Sequence, residues 1–516
     1  MPEAVIQKPR SSRFETTTRT KGLEAESPSS APSWSRRDIT IGRTLGLGLF
    51  LLYVAVSRHA YIAYDANSMV AVTHNLVDHF TLRTTGAWDD YIGISTPWSP
   101  YGVGLSIAIV PLYLLSRIFN HEGLILSLYN PIVTAITAAV IYRIGRELRW
   151  NRSTACFGAI CYGALTMALQ STTELFSEPS IALLTALLVL GFMRWQKGSN
   201  WAPLAIGIVL GVAVQFRSDS IATMCVALLA APLFVSWQTI RRISTVAKVF
   251  IPLAISFALL AWYNEVRFGK LFVSAYGGAS YSTPVLHGLH GLLFSWGKSL
   301  FVFNPVAIIG VVGLVAMFWR RRPLAVLFTL VIVVRLVLVA KWSAWAGGVC
   351  YGPRLIMPLM VLLVISGVDL LDAAKSRTTA GTLVRAGFVL LILPTLWINF
   401  LSVRIPYEQW GKTLATPSLR VLNPTARALV KSTSQAAQVE TFTFSGADFM
   451  GDYDLLTDGQ GKMAPELWQK GDGYLGWILL GLSALLLACA ALMSAKFPRR
   501  GNHARAPTRA PALNTA

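Results

Sequence analysis

Long apolar stretches alternate with short polar ones along most of this chain. The apolar blocks run for about 15–22 residues, close to the roughly 20 that carry a helix across a hydrocarbon core about 30 Å thick. That pattern predicts an all-α, polytopic helical membrane protein. Basic residues mark one end of the blocks: Arg36-Arg37; the run Arg143, Arg146, Arg149, Arg152; Arg194 and Lys197; Arg241, Arg242 and Lys248; Arg320-Arg321-Arg322; Lys375 and Arg377; and Lys496, Arg499 and Arg500. The bias of Lys and Arg toward the cytoplasm sets these positions inside. Counting between them predicts about twelve crossings, at 41–63, 124–142, 153–171, 179–195, 202–216, 220–238, 249–264, 304–318, 324–340, 355–372, 383–401 and 475–495. The run 101–118 breaks the parity, because a crossing there would put the 143–152 cluster outside. Residues 98–118 are therefore expected to lie along the membrane surface, or to re-enter, within one long outer loop of 64–123 that carries a juxtamembrane helix.

The same parity divides the chain. Residues 1–40, rich in Ser, Thr, Arg, Glu and Pro, are expected as a disordered cytoplasmic tail. A transmembrane module is expected at 41–401, followed by an extracytoplasmic loop at 402–474, a last crossing at 475–495 and a basic cytoplasmic tail at 496–516. The first apolar block is too long and too far from the start for a cleavable signal. The polar features of interest gather on the outer side: the 64–123 loop, the turns at 171–178, 217–219 and 341–354, and the loops 265–303 and 402–474.

Composition agrees. Of 516 residues 54% are hydrophobic and 14% charged, where a soluble protein carries about a quarter charged. The formal charge of +20 raises the question of nucleic acid. The cations, however, sit at block ends and in the tails, where topology determinants meet anionic lipid, so membrane lipids and no nucleic acid are expected as partners. The five cysteines (Cys156, Cys161, Cys225, Cys350, Cys489) show no CxxC pair and no metal-ligand spacing with histidine, as packed free thiols would. The one Asn-x-Ser/Thr sequence in which x is not Pro, Asn151-Arg152-Ser153, falls on the inner side, which favours a bacterial cytoplasmic (inner) membrane with an active site facing outward.

Several outer groups are equipped for chemistry. Asp65 follows an apolar block directly, and a carboxylate at a membrane boundary is costly without a partner or a task. It is the first candidate for a general base toward an acceptor hydroxyl or amine; an interfacial helix-end carboxylate is the plainer alternative. Asp89 and Asp90, beside Trp88 and Tyr91, suit sugar or acceptor binding, or a solvated turn. Glu174 and Glu178 flank the start of a crossing, where Glu178-Pro179 also suits a helix N-terminus. Arg217 and Asp219 form either a structural ion pair or a phosphate-facing guanidinium held by its acid. Lys341 and Arg354 run against the charge bias on the outer side, with Trp342, Trp345 and Tyr351 around them, and suit an anionic substrate group. His287, His290 and Lys298 could meet a phosphate or belong to an amphipathic surface helix. The HxxH pair lacks a third ligand, so zinc is poorly supported. Asp448, Asp452, Asp454 and Asp458 lack complete calcium-loop spacing.

Taken in order, these stretches resemble a known family. Asp65 follows the first crossing, YGVGLSIAIVPLY (101–113) closes the first outer loop, FSEPS (176–180) opens a later crossing, and FRSDS (216–220) lies between two crossings. LLFSWGKSLFVFNP (292–305) and WSAWAGGVCYGPRLIMPLM (342–360) follow. Together, over roughly 41–372, they resemble the bacterial type C (GT-C) glycosyltransferases, relatives of the protein O-mannosyltransferases and of the lipid A aminoarabinose and galacturonic acid transferases. The resemblance implies inverting transfer of a sugar from a polyprenyl-phosphate donor to a lipid, glycan or protein acceptor on the outer membrane face. It implies Asp65 as catalytic base, Glu178 as a second acid of the site, and Arg354, with Arg217 and Lys298, as holders of the donor phosphate. Phosphate is then the leaving group, and cations stabilise its charge. Where many relatives carry an acidic pair this chain has Asp65-Ala66-Asn67, so no cofactor is expected and a divalent metal lacks a second carboxylate. Where many carry a cation before YGxG it has Trp98-Ser99-Pro100. A transporter or flippase of lipid-linked saccharides, or a saccharide polymerase, would use similar lipids; a transporter would favour charged groups within crossings and an inverted repeat.

Overall fold

A computed structural model describes residues 35–495 apart from 59–60, 62, 85–96, 272, 274–279, 349, 375–377, 433–434, 446 and 458–473, and without the side chains of 407 and 408. Asp89, Asp90 and Asp458 lie outside the described residues. The described chain is helical, with one isolated bridge between Arg83 and Trp98.

Among the described residues seven helices are long and apolar enough to cross a membrane: Arg36–Val56, Glu122–Glu147, Glu178–Gln196, Ile243–Phe268, Arg322–Lys341, Thr379–Arg404 and Leu475–Ser494. The expected crossings at 153–171, 202–216, 220–238, 304–318 and 355–372 are shorter helices, Arg152–Ala164, Ala202–Phe216, Ser220–Ala230, Ala307–Arg320 and Leu359–Ala373. At 1.5 Å per residue these reach about 17–23 Å, less than a hydrocarbon core. For the first of them the physical reason is visible after Ala164. Residues 165–177 leave the helix while buried, with Gln170, Ser171, Thr172, Thr173 and Glu174 all inside. Irregular backbone at such depth survives where protein surrounds it and its polar groups are satisfied. Here Asn130 does part of that, donating to the carbonyl oxygens of Glu174 (2.6 Å) and Phe176 (3.1 Å).

The first helix stops at Val56 rather than 63, and a second helix, Tyr64–His79, begins after seven intervening residues. Asp65 therefore opens a new helix instead of ending the first, and the N-terminal end of a helix dipole favours its charge. Residues 98–118 hold two short helices, Val103–Ala108 and Val110–Phe119, neither long enough to cross. Leu114, Leu115, Ile118 and Phe119 of the second are exposed, whereas Tyr113 and Ser116 face inward.

The last helix returns to the first, where the Ser483 hydroxyl donates to the Gly48 carbonyl (2.8 Å). Between 405 and 457 the chain forms short helices around a small core of its own that includes Trp410, Leu414, Val430 and Leu455. Three of the basic clusters assigned to one side find acids there, and those at 375–377 and 496–500 lie outside the described residues. Asp38 binds Arg146 (3.2 Å) and Arg152 (2.9 Å), and Glu147 binds Arg194 (2.6 Å) and Lys197 (2.5 Å). Asp369 binds Arg320 (3.0 Å) and Arg321 (2.9 Å).

Candidate active site

At the opposite end of the bundle a cavity of about 210 Å³ opens among residues far apart in sequence. Its polar wall is made by Asp65, Tyr101, Arg217, Asp219 and Arg354.

Asp65 is held twice. Arg354 Nη2 reaches its Oδ2 at 2.8 Å, and the Tyr101 hydroxyl donates to its Oδ1 at 2.6 Å. Arg354 is itself braced: its Nε donates to the Gly347 carbonyl (2.9 Å), and its guanidinium lies 4.2 Å over the Phe176 ring. Gly347 and Gly348 take φ of +82° and +73°, which side chains other than glycine's rarely adopt, and this folds the WSAWAGGVCYGPR turn back on Arg354. Arg354 Nη1 is buried with no hydrogen-bond partner among the described residues. A buried guanidinium edge left open is costly.

Glu178 opens its helix and accepts from Arg217 Nη1 at 2.8 Å. Arg217 also holds Asp219 (2.9 Å), and Asp219 in turn accepts from Arg335 Nη1 (2.8 Å). Burial alone would raise the Asp219 carboxyl, but Arg217 and Arg335 outweigh it and hold Asp219 well below the usual carboxylate range. Arg335 sits inside the Arg322–Lys341 span and donates through Nε and Nη2 to the Leu355 carbonyl, one residue beyond Arg354. Carboxylates and guanidinium groups thus alternate from the start of one helix to the turn that carries Arg354.

The YGVG stretch explains how the wall is assembled. A β-carbon on Gly102 would come within 2.2 Å of the Gln215 carbonyl oxygen, and one on Gly104 within 2.7 Å of the Phe216 nitrogen. Only glycine lets this segment lie against the end of the Ala202–Phe216 helix, which delivers Arg217. The same contact sets Tyr101 toward Asp65. Arg267 fixes the segment from the far side, donating to the carbonyls of Ser99 (2.7 Å) and Tyr101 (2.9 Å).

Of the residues singled out from the sequence, Asp65, Arg217, Asp219 and Arg354 line this cavity, and Glu178 joins it through Arg217. Glu174 is buried within the 165–177 segment, its Oε1 accepting from the Leu175 nitrogen. Tyr351 is buried, stacks edge-on against Phe303 and donates to the Ile398 carbonyl (3.0 Å). Lys341 ends its helix with an exposed side chain. Lys298 is drawn elsewhere: its ammonium donates to the Cys350 carbonyl and lies 3.4 Å from Asp448 and 3.7 Å from Glu440. It therefore ties the 402–474 region to the turn beside the cavity. Burial and the nearby Glu440 push the Asp448 carboxyl up to about 8 in spite of Lys298. His287 and His290 pack against Phe442, in aromatic contacts of that same junction.

Tyr101, Arg267 and Arg335 were not singled out. Arg335 carried a signal, as a lone cation in the apolar run VIVVRLVLVA, where an ionisable group marks a functional or bracing role. Tyr101 carried none beyond its place in YGVG.

A sequence model of the family described as dolichyl-phosphate-mannose-protein mannosyltransferase matches residues 110–263, less than half of the chain. The matched stretch contains Glu178, Arg217 and Asp219, and it supports the resemblance to type C glycosyltransferases seen in the ordered motifs. No curated protein matches. Among solved structures, the crystal structure of ArnT from Cupriavidus metallidurans bound to undecaprenyl phosphate aligns over 87% of this chain and 77% of that one, at 16% identity and a TM-score of 0.49. The apo state of the same protein aligns over 87% and 76%, at 16% identity and 0.47.

Proposed function

We propose that this integral membrane protein is a glycosyltransferase that moves a sugar, with inversion, from a polyprenyl-phosphate donor to a lipid, glycan or protein acceptor at the outer face of the membrane. The observation that carries this reading is the convergence of Asp65, Tyr101 and the half-satisfied Arg354 on one cavity.

The chemistry follows from those groups. The donor phosphate lies against Arg354, using its open Nη1 edge and competing for the Nη2 that Asp65 holds; Arg217 lies on the same wall. Charge-assisted hydrogen bonds of this kind contribute about 1.5–3 kcal/mol each. Once Arg354 turns to phosphate, Asp65 keeps its Tyr101 hydrogen bond and gains freedom to accept a proton. The acceptor oxygen or nitrogen forms its bond to the anomeric carbon as the bond from that carbon to the phosphate oxygen breaks. The acceptor proton passes to Asp65, and polyprenyl phosphate leaves with its charge opposite Arg354. Glu178 and Asp219 hold Arg217 in place.

Arg335, a charge within a crossing, is a feature that also favours a transporter, although its bonds to Asp219 and Leu355 make it a brace. Membranes containing wild type or Asp65→Asn, supplied with radiolabelled polyprenyl-phosphate sugars, separate the readings. Transfer that Asp65→Asn abolishes at equal protein level is expected. No transfer from any donor, with lipid-linked saccharide accumulating on the inner face of a deletion strain, overturns the proposal in favour of transport.

A further inference from the structure

A second cavity lies far from this chemistry. An open groove of about 550 Å³ runs between the Arg36–Val56 helix and the Glu122–Glu147 helix. Its floor is small, with Gly42, Gly46, Ala135 and Ala139, and its sides are Leu47, Phe50, Ile132, Ile136 and Val140. Two arginines, Arg43 and Arg143, are its charged members.

Three observations identify what fits it. The groove takes in residues 39–50 of one helix and 132–143 of the other, eleven steps each, or about 16 Å at 1.5 Å per residue. That is about half of a hydrocarbon core of about 30 Å, the depth of one leaflet. Both arginines belong to the end where Asp38 pairs with Arg146 and Arg152: Arg143 stands at the rim of the groove and Arg43 about 6 Å along it, within reach of the headgroups for its long side chain, while the apolar walls run on toward the bilayer centre. The neighbouring Arg146, Arg152, Arg194 and Lys197 have acidic partners; exposed Arg43 has no ion pair or hydrogen bond among the described residues.

We infer that this groove is a binding site for one anionic glycerophospholipid of the leaflet at the basic end, with an acyl chain between the two helices and the phosphate against Arg43 and Arg143. The inference stands apart from the proposed transfer reaction, whose groups lie at the other end of the bundle.

The full-length protein in mild detergent, titrated with phosphatidylglycerol or phosphatidylcholine and read by native mass spectrometry, tests it. Phosphatidylglycerol is expected to bind more tightly. Each arginine near an anionic headgroup contributes about a fivefold factor, so Arg43→Gln should lose about fivefold and Arg43→Gln/Arg143→Gln about thirtyfold. Arg242→Gln, an exposed cation of the basic end outside the groove, should lose nothing. Gly46→Leu fills the groove, keeps both arginines and should abolish retention of the lipid. Equal binding of the two lipids, or equal effects of Arg43→Gln and Arg242→Gln, overturns the inference. So does a dimer that Gly46→Leu splits while lipid binding stays unchanged. Arg43→Gln, on an exposed side chain, keeps the test decisive should the double variant fail to fold.

Discussion

The two ends of this bundle use the same chemistry for different purposes. At the basic end Asp38, Glu147 and Asp369 each meet two cations at 2.5–3.2 Å, in packed helix ends. At the other end Asp65, Glu178 and Asp219 meet Arg354, Arg217 and Arg335 at 2.8–2.9 Å. Distance and charge do not tell the two sets apart. What differs is the space beside them: Asp65, Arg217, Asp219 and Arg354 line a cavity, while the pairs of Asp38, Glu147 and Asp369 do not. An arginine–carboxylate pair is a site only where a third, mobile charge can enter and take one partner.

Substitutions can break that contrast. The largest effect is expected at Asp65. Asp65→Asn keeps the shape and removes the base, and should lower kcat per folded molecule for sugar transfer by about 10²–10⁴-fold, far beyond what the stability lost by leaving Arg354 without its carboxylate accounts for. Asp369→Asn, the matched change at the basic end, should do the reverse. It leaves Arg320 and Arg321 without their buried acid, for a loss toward the lower end of about 3–5 kcal/mol because both arginines are partly exposed. Activity per folded molecule, measured beside the melting temperature, should stay near wild type. If both variants lose activity in proportion to stability, the contrast fails.

Arg354→Ala should raise the apparent donor KM by about 10–100-fold, the weight of one or two charge-assisted hydrogen bonds, with a smaller change in kcat. An unchanged donor dependence removes Arg354 from the site.

The smallest effect concerns the junction of the 402–474 region. Asp448 has its carboxyl raised from 3.8 to about 8 by burial and by Glu440. The folded state thus holds a proton that the unfolded chain has released, so stability falls as pH rises from about 4 to about 8. Asp448→Asn should flatten that slope in melting curves taken across this range. A slope that survives the substitution must come from another group.

Much of this was legible from local pattern. Apolar block length marked the membrane protein, and basic block ends marked one face. Acids and cations breaking the charge bias marked the other, and Asp65, Arg217 and Arg354 stood out by composition of their surroundings alone. The errors were also local in origin. The buried segment 165–177 is apolar enough to look like the rest of a crossing, yet its Thr and Ser hydroxyls bond to nearby backbone carbonyls and end the helix early, as Thr166 does to Tyr162 (2.7 Å). Lys298 looked like a phosphate ligand because it lies near histidines and aromatics on a loop. Its partners, Glu440 and Asp448, come from more than a hundred residues away.

By itself the sequence determined that the chain is a helical membrane protein, which end of it is basic and which acids and cations stand at the opposite end. Those properties depend on residues within about twenty positions of one another. Only the tertiary structure decided which of those groups meet. Asp65 and Arg354 are 289 residues apart, and Tyr101 reaches Asp65 because two glycines let one segment lie against the backbone of another helix. Hydropathy along a helix records that a face is apolar, while the pairing of two side chains depends on the rotation and contact distance of helices that no local pattern encodes.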